Sequence, residues 1–146
     1  MIVSFFGHAE LCSESIDKEK VVSFLEKEIG GKDVDFYLGN YGDFDKIAHG
    51  LAKEYQQRNS NAKLVFVTPY LNSVRHNDFA KKCDESIYPP LEKTPLRFAI
   101  VERNKWVVQQ SDMIIFYYKR VGYTKKIYYY ALLKKKKVFN LAQMTF

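Results

Sequence analysis

Five short apolar runs, each set off by turns and helical patterns, restrict what this chain can become. They are "IVSFF" at 2–6, "VDFYL" at 34–38, "KLVFVTPY" at 63–70, "MIIFYY" at 113–118 and "VFNLA" at 138–142. Near-continuous apolar strands belong to a sheet buried on both faces, which is the habit of parallel sheets. The segments between them carry the other period. Over 17–29, Val21, Val22, Leu25 and Ile29 recur at helical intervals, with Asp17 near the start and Gly30–Gly31 as the stop. A second helix is expected from Asp43 to about Arg58, with Ile47, Leu51 and Tyr55 on one stripe. A third is expected from Leu96 to about Gln110, with Phe98, Val101 and Val108 apolar, and a last one over 123–137.

The order is therefore β-α-β-α-β-loop-α-β-α-β. Right-handed crossovers turn this order into an α/β Rossmann-like three-layer sandwich with a five-stranded, mostly parallel sheet. The 146 residues suit one domain, spanning 1–146. Residues 71–95, with Pro89, Pro90 and Pro95, make a long connection for such a domain. A segment of that kind is either partly structured or a functional lid.

The formal charge of +6 permits an anionic partner without requiring one. Four of the positive charges form the run Lys134 to Lys137, which reads as a solvated helix end. Cys12 and Cys83 lie far apart and share no CxxC spacing, so neither a metal cluster nor a disulfide framework follows. No charged region precedes an apolar stretch in the manner of a signal peptide. The apolar runs fall far short of the ~20 residues needed to span a bilayer. A cytoplasmic protein with no membrane partner is the default expectation.

In an open parallel sheet, ligands bind beyond the carboxyl ends of the strands, where the strand order reverses. The expected strands end in "GHAE", "GNYGDFD", "TPY" and "YYKRVGYT". Glycines and polar residues gather there, where backbone N–H groups at helix starts can meet a phosphate. The turn after the second strand holds Gly39, Asn40, Tyr41, Gly42, Asp43 and Asp45. Its glycines either let a ligand approach the backbone or only turn a β–α corner. It is not a G-x-G-x-x-G fingerprint, so no dinucleotide cofactor is expected.

Several stretches together resemble the SLOG superfamily, which includes the Smf/DprA-like and LOG-like proteins. They are "FFGHAEL" at 5–11, "LGNYGDFDKIA" at 38–48, "VTPYL" at 67–71, "YPPLEKTPLRFAIVERNKWVVQQSDMIIFYY" at 88–118 and the final "KKVFNLA". The chain is most similar to small stand-alone bacterial members. The resemblance implies a Rossmann-like fold, a nucleotide or nucleotide-derived ligand at the carboxyl edge, and a homodimer. LOG-like members cleave the N-glycosidic bond of nucleoside monophosphates, and deoxyribosyltransferases are related. Both depend on a carboxylate near the sugar. Here the stretch corresponding to their phosphate loop and helix is "VGYTKKIYYYA", which keeps Gly122 and Thr124 but has Tyr128 to Tyr130 where the helix Glu is expected. A tyrosine cannot supply that carboxylate.

On the same resemblance, Arg103 and Asn104 face the ligand, Arg being suited to bidentate contact with phosphate or carboxylate. Without it, Arg103 reads equally as an arginine that pairs with Glu102 or Asp112, or as one that simply lies on a helix surface. Gly7 and His8 follow the first strand, and His8 is either a ligand contact or a strand-end histidine bonded to backbone. Asp43, Asp45 and Glu102 are the candidate catalytic carboxylates, with helix capping and an exposed helix position as the competing roles. Ser111–Asp112 reads as a turn before the fourth strand. Tyr41 and Tyr70 are the aromatics best placed to stack on a base, whereas Trp106 reads as core or interface. His8, His49 and His76 share no metal-ligand spacing, and no metal site is expected.

Three functions remain in view. One is a non-catalytic or weakly catalytic module that senses a nucleotide-like small molecule. Another is an N-glycosidic-bond hydrolase or transferase. The third, and the least favoured, is a DprA-like single-strand nucleic-acid binder.

Overall fold

The computed structural model describes residues 1–11, 16–70 and 78–145. Six strands and four α-helices are described: β1 (Ile2–Gly7), α1 (Lys18–Ile29), β2 (Val34–Leu38), α2 (Asp43–Arg58), β3 (Ala62–Val67), β4 (Glu85–Ile87), α3 (Ala99–Gln110), β5 (Met113–Tyr117), α4 (Tyr123–Leu133) and β6 (Lys137–Asn140). Short 3-10 turns at Leu96–Phe98 and Leu141–Gln143 precede α3 and follow β6.

The strands form one sheet in the order β4-β3-β2-β1-β5-β6. Every pairing is parallel. The architecture is the Rossmann-like α/β sandwich expected, but with six strands instead of five. The sixth, β4, lies in the stretch read as a connection and pairs with β3 from Val65↔Glu85 to Val67↔Ile87. It is three residues long and mostly exposed, so no apolar run announces it. Of the same stretch, residues 71–77 lie outside the described residues, and so do Cys12 and His76.

Side-chain alternation along the strands builds two cores. On one face Val3, Phe5, Phe36, Leu38, Phe66 and Ile115 meet α1 (Val21, Leu25, Ile29) and α2 (Phe44, Leu51, Tyr55). On the other Phe6, Tyr37, Val67, Ile114 and Phe116 meet α3 (Val107, Val108) and α4 (Ile127, Ala131). β1 is central. The chain runs outward from it through β2, β3 and β4, then crosses back to place β5 on its other side. The reversal falls between β1 and β5, and a crevice opens there.

Helix ends explain two differences from the sequence reading. The segment from Leu96 enters as a 3-10 turn, leaving Leu96 and Phe98 exposed, and α3 proper starts at Ala99. The last helix stops at Leu133 instead of 137. There the N–H of Lys135 bonds the Leu132 carbonyl and that of Lys136 bonds the Ala131 carbonyl. Lys135 occupies the left-handed region at φ 58°. These features make a Schellman end, here with lysine in the place glycine usually takes. The lysine run is thus the capped end of α4, with Lys134 to Lys136 making the turn and Lys137 opening β6.

Candidate functional site

A cavity of about 470 Å³ lies in the β1/β5 crevice at the carboxyl edge of the sheet. The end of β1, the turn before α2, α3, and the loop that leads into α4 surround it. Of the residues expected at the site, Gly7, His8, Tyr41, Gly42, Arg103, Asn104, Gly122 and Thr124 line it, as does Asp45. Gly39, Asn40, Asp43, Tyr70 and Glu102 do not.

The two helix starts at the cavity differ. At α2 the N–H of Asp43 donates to the Ala9 carbonyl at 2.8 Å and that of Phe44 to the His8 carbonyl at 3.4 Å. The β1–α1 loop has therefore taken the donors that a phosphate would use. A Cβ at Gly42 would fall 2.5 Å from Ala9 Cα, and one at Gly39 would fall 3.1 Å from Arg103 Nη2. Neither glycine has a positive φ. Gly42 is needed because the Ala9 backbone comes close, and Gly39 sits in tight contact with the Arg103 guanidinium, both in keeping with the corner-turning reading of this stretch. At α4, the N–H groups of Tyr123 and Thr124 have no intrahelical acceptor, as in any first turn, and no other backbone carbonyl among the described residues takes them.

The acidic residues of the first turn of α2 tie the corner together. Asp45 Oδ2 accepts from the Tyr41 N–H at 2.7 Å, and Asp43 Oδ2 accepts from the Leu11 N–H at 3.0 Å. Asp43 therefore holds the β1–α1 loop from outside the cavity. Glu102 is half-buried, outside the cavity, and faces Lys105 at 3.7 Å. Of the three candidate carboxylates, only Asp45 reaches the cavity. Burial pushes its carboxyl above the usual range, against the pull of the Tyr41 and Gly42 N–H groups and the Arg103 charge.

Arg103 is only 4% exposed. Its Nε donates to the Val67 carbonyl at 2.8 Å, Nη2 to the Leu38 carbonyl at 3.0 Å and Nη1 to Asn104 Oδ1 at 2.8 Å. It therefore clamps the ends of β2 and β3 while contributing a positive charge to the cavity wall. It pairs with neither of the partners suggested by sequence, since Glu102 bonds elsewhere and Asp112 accepts from the Ile2 N–H. Burial draws its pKa down, and the nearby Asp45 carboxylate opposes this.

His8 Nε2 accepts from the backbone N–H groups of Lys119 and Arg120, at 3.0 and 3.3 Å. It thus fixes the β5–α4 loop, and Nε2 has no lone pair to offer a substrate proton. This matches the reading of a strand-end histidine bonded to backbone.

Two buried polar groups on the cavity wall lack partners among the described residues. Asn104 is 8% exposed and uses its side-chain oxygen on Arg103, so its Nδ2 donors are left over. Thr124 is 5% exposed, and no described residue bonds its hydroxyl. Buried polar groups are ordinarily satisfied, and an exception calls for an explanation.

Sequence reasoning missed Ile100, Arg120 and Tyr123 at the cavity. Arg120 and Tyr123 sit in "YYKRVGYT", a stretch already marked as a strand end, so their signal was position and not residue type. Ile100 had no local signal. Tyr128 to Tyr130 do not line the cavity, and Tyr128 packs against Phe116 and Tyr118 instead. Among the described residues, no three His, Cys, Asp or Glu side chains are grouped to hold a metal ion, and no helix is long and apolar enough to cross a membrane.

An open parallel sheet with a ligand-sized crevice at its reversal point defines a Rossmann-like α/β protein. No protein-family model matches the chain, and no curated protein matches it. The SLOG resemblance stands on its motifs alone.

Proposed function

We propose that the cavity binds a small anionic ligand of the nucleotide class and that the protein acts as a sensor or carrier of it. The observation that carries this reading is the pair of unpartnered buried groups, Asn104 Nδ2 and Thr124 Oγ1, on the wall of one cavity. The Thr124 hydroxyl stands in the first turn of α4 beside unused backbone N–H groups, an arrangement that suits a phosphate. The Arg103 charge adds a favourable potential. Tyr41, Ile100 and Ile127 give apolar wall for a base, and the Asn104 amide donates to an acceptor on the base or sugar.

The chemistry available favours binding over turnover. α4 carries no acidic residue, Asp43 and Glu102 are engaged outside the cavity, and Glu10 borders it only as an exposed side chain. One observation keeps the N-glycosidic-bond reading alive. Asp45 is a cavity carboxyl with a raised pKa, and a perturbed carboxyl in a cleft is a candidate acid or base.

Thermal shift against nucleoside monophosphates, cyclic nucleotides and ADP-ribose tests the proposal. A ligand at 100 times its Kd stabilises the fold by ~2.7 kcal/mol, an easily read shift. The bound ligand should be recovered intact by mass spectrometry. Release of free base, abolished by Asp45→Asn, would establish the glycosidase instead. No shift with any member of the panel would overturn both.

A further inference from the structure

We propose that the outer face of α4, with the loop leading into it, docks the protein on an anionic membrane surface. The inference does not depend on which ligand the cavity takes, although Val121 and Tyr123 border both the cavity and this face.

Charge is segregated along the chain. Residues 113–146 hold eight Lys and Arg and no Asp or Glu, which leaves 15 basic against 17 acidic residues in 1–112. The net charge of +6 therefore belongs entirely to β5, α4, β6 and their loops. Exposed apolar surface is segregated too. Of the eight large hydrophobic residues exposed among the described residues, five lie here: Val121, Tyr123, Tyr129, Leu132 and Leu133. The other three, Leu96, Phe98 and Ile100, lie at the start of α3 on the same side of the sheet.

Helix geometry brings the two properties onto one face. Thr124, Ile127 and Ala131 point into the protein. Lys125, Lys126, Tyr129, Leu132 and Leu133 share the opposite stripe, at spacings of one, four, seven and eight residues. Leu133 is 75% exposed and Val121 83%, one at each end of a face about 18 Å long. Lysines on such a face can lay their stems along apolar surface and lift their charges to headgroup level, with tyrosine at the interface. Apolar area combined with cations is the two-part signal that stable interfacial binding requires.

The same features count against the other occupants. A phosphate backbone has no use for the aliphatic Val121, Leu132 and Leu133. A second copy docked two-fold through this face would set Lys125 and Lys126 against the same two lysines, with no acidic residue in α4 to pair them. The expectation of no membrane partner rested on the lack of a spanning segment, and a helix lying in the interface plane needs none.

The test is sedimentation of the full chain with vesicles of phosphatidylcholine alone and with vesicles containing phosphatidylglycerol. We expect binding to the anionic vesicles only, weakening as salt rises. Each lysine near the surface contributes about fivefold, so Lys125→Ala with Lys126→Ala should lower the partition about 25-fold. Leu133→Asp should lower it further at unchanged circular dichroism. Equal binding to neutral vesicles, no binding to either, or binding that survives both variants would overturn the proposal. Capture by a labelled oligonucleotide or by polyglutamate without vesicle binding would overturn it too. So would a dimer that Leu133→Asp dissolves.

Discussion

Arg103 donates from Nη1 to the side-chain oxygen of its neighbour Asn104 at 2.8 Å, and this bond turns the Asn104 amide nitrogen away from the clamp. One residue closes the ends of two strands, and the next offers the donors left over. Replacing Arg103 strips a charged donor from the Leu38 and Val67 carbonyls and leaves Asp45 without its opposing charge. Arg103→Met should destabilise the fold by about 3–5 kcal/mol. Arg103→Lys should fall between, since it keeps the charge but not the fork. Urea denaturation measures both, and adding Asp45→Asn to Arg103→Met should recover part of the loss.

Thr124 offers the opposite case. Its hydroxyl is buried and bonds to nothing described, so Thr124→Val removes an unsatisfied group at nearly constant shape. The variant should be as stable as the parent or up to ~1 kcal/mol more stable. In the same protein, nucleotide affinity by calorimetry should fall about tenfold, as expected for loss of one bond to a charged group. A loss of stability without a loss of affinity would assign the hydroxyl to the fold.

Two glycines of the α2 region should respond with opposite signs. Gly42→Ala drives a methyl against the Ala9 backbone and should cost about 1–3 kcal/mol. Gly50 lies within α2, where an added Cβ would come no nearer than 3.5 Å to Lys18 Nζ. Gly50→Ala should stabilise by about 0.5–1 kcal/mol through helix propensity. Thermal melts of the two single variants check the contrast.

Acid titration should separate two aspartates. The folded pKa of Asp45 lies above its usual 3.8, chiefly through burial, so ionising it costs more in the fold than in the unfolded chain. Its contribution makes stability rise as pH falls from neutral through that folded value. Asp84 is shifted the other way, mainly because its carboxylate accepts the Leu64 N–H at 2.8 Å. That stabilisation is present above 3.8 and is lost as pH falls through the lower folded value. Asp45→Asn should remove the rise and leave the acid-side loss, read as urea midpoints across pH. An unchanged profile would mean that Asp45 is not a buried carboxyl.

The sequence disclosed the parts of this molecule that obey a local period. β2 and α2 occupy the expected residues because "VDFYL" is apolar but for Asp35 and because Ile47, Leu51 and Tyr55 recur helically. β4 was hidden because three exposed residues at a sheet edge need no apolar pattern; parallel pairing with β3 makes them a strand. At the site, the residues nearest the sheet reversal were legible, because position relative to strand ends is itself a local signal. The division of labour among them was not. Whether Asp43 or Asp45 faces the cavity depends on which backbone N–H each one reaches, and those belong to Leu11 and Tyr41. That Arg103 spends its donors on Leu38 and Val67 depends on contacts 65 and 36 residues away in sequence.

The central place of β1 also bears on how the chain is made. β1, the earliest of the six described strands to be synthesised, is flanked in the finished sheet by β2 on one side and by β5 on the other. β2 follows within a few dozen residues, but Met113–Tyr117 come roughly 110 residues later, a delay on the order of ten seconds of synthesis. During that interval one edge of β1, carrying Val3, Phe5 and Phe6, has no strand beside it. An unpaired apolar strand edge is a template for association between chains. The nascent protein is therefore most exposed to aggregation while its longest-range pairing waits to be translated, and substitutions that slow α3 or β5 should lower soluble yield before they change the finished fold.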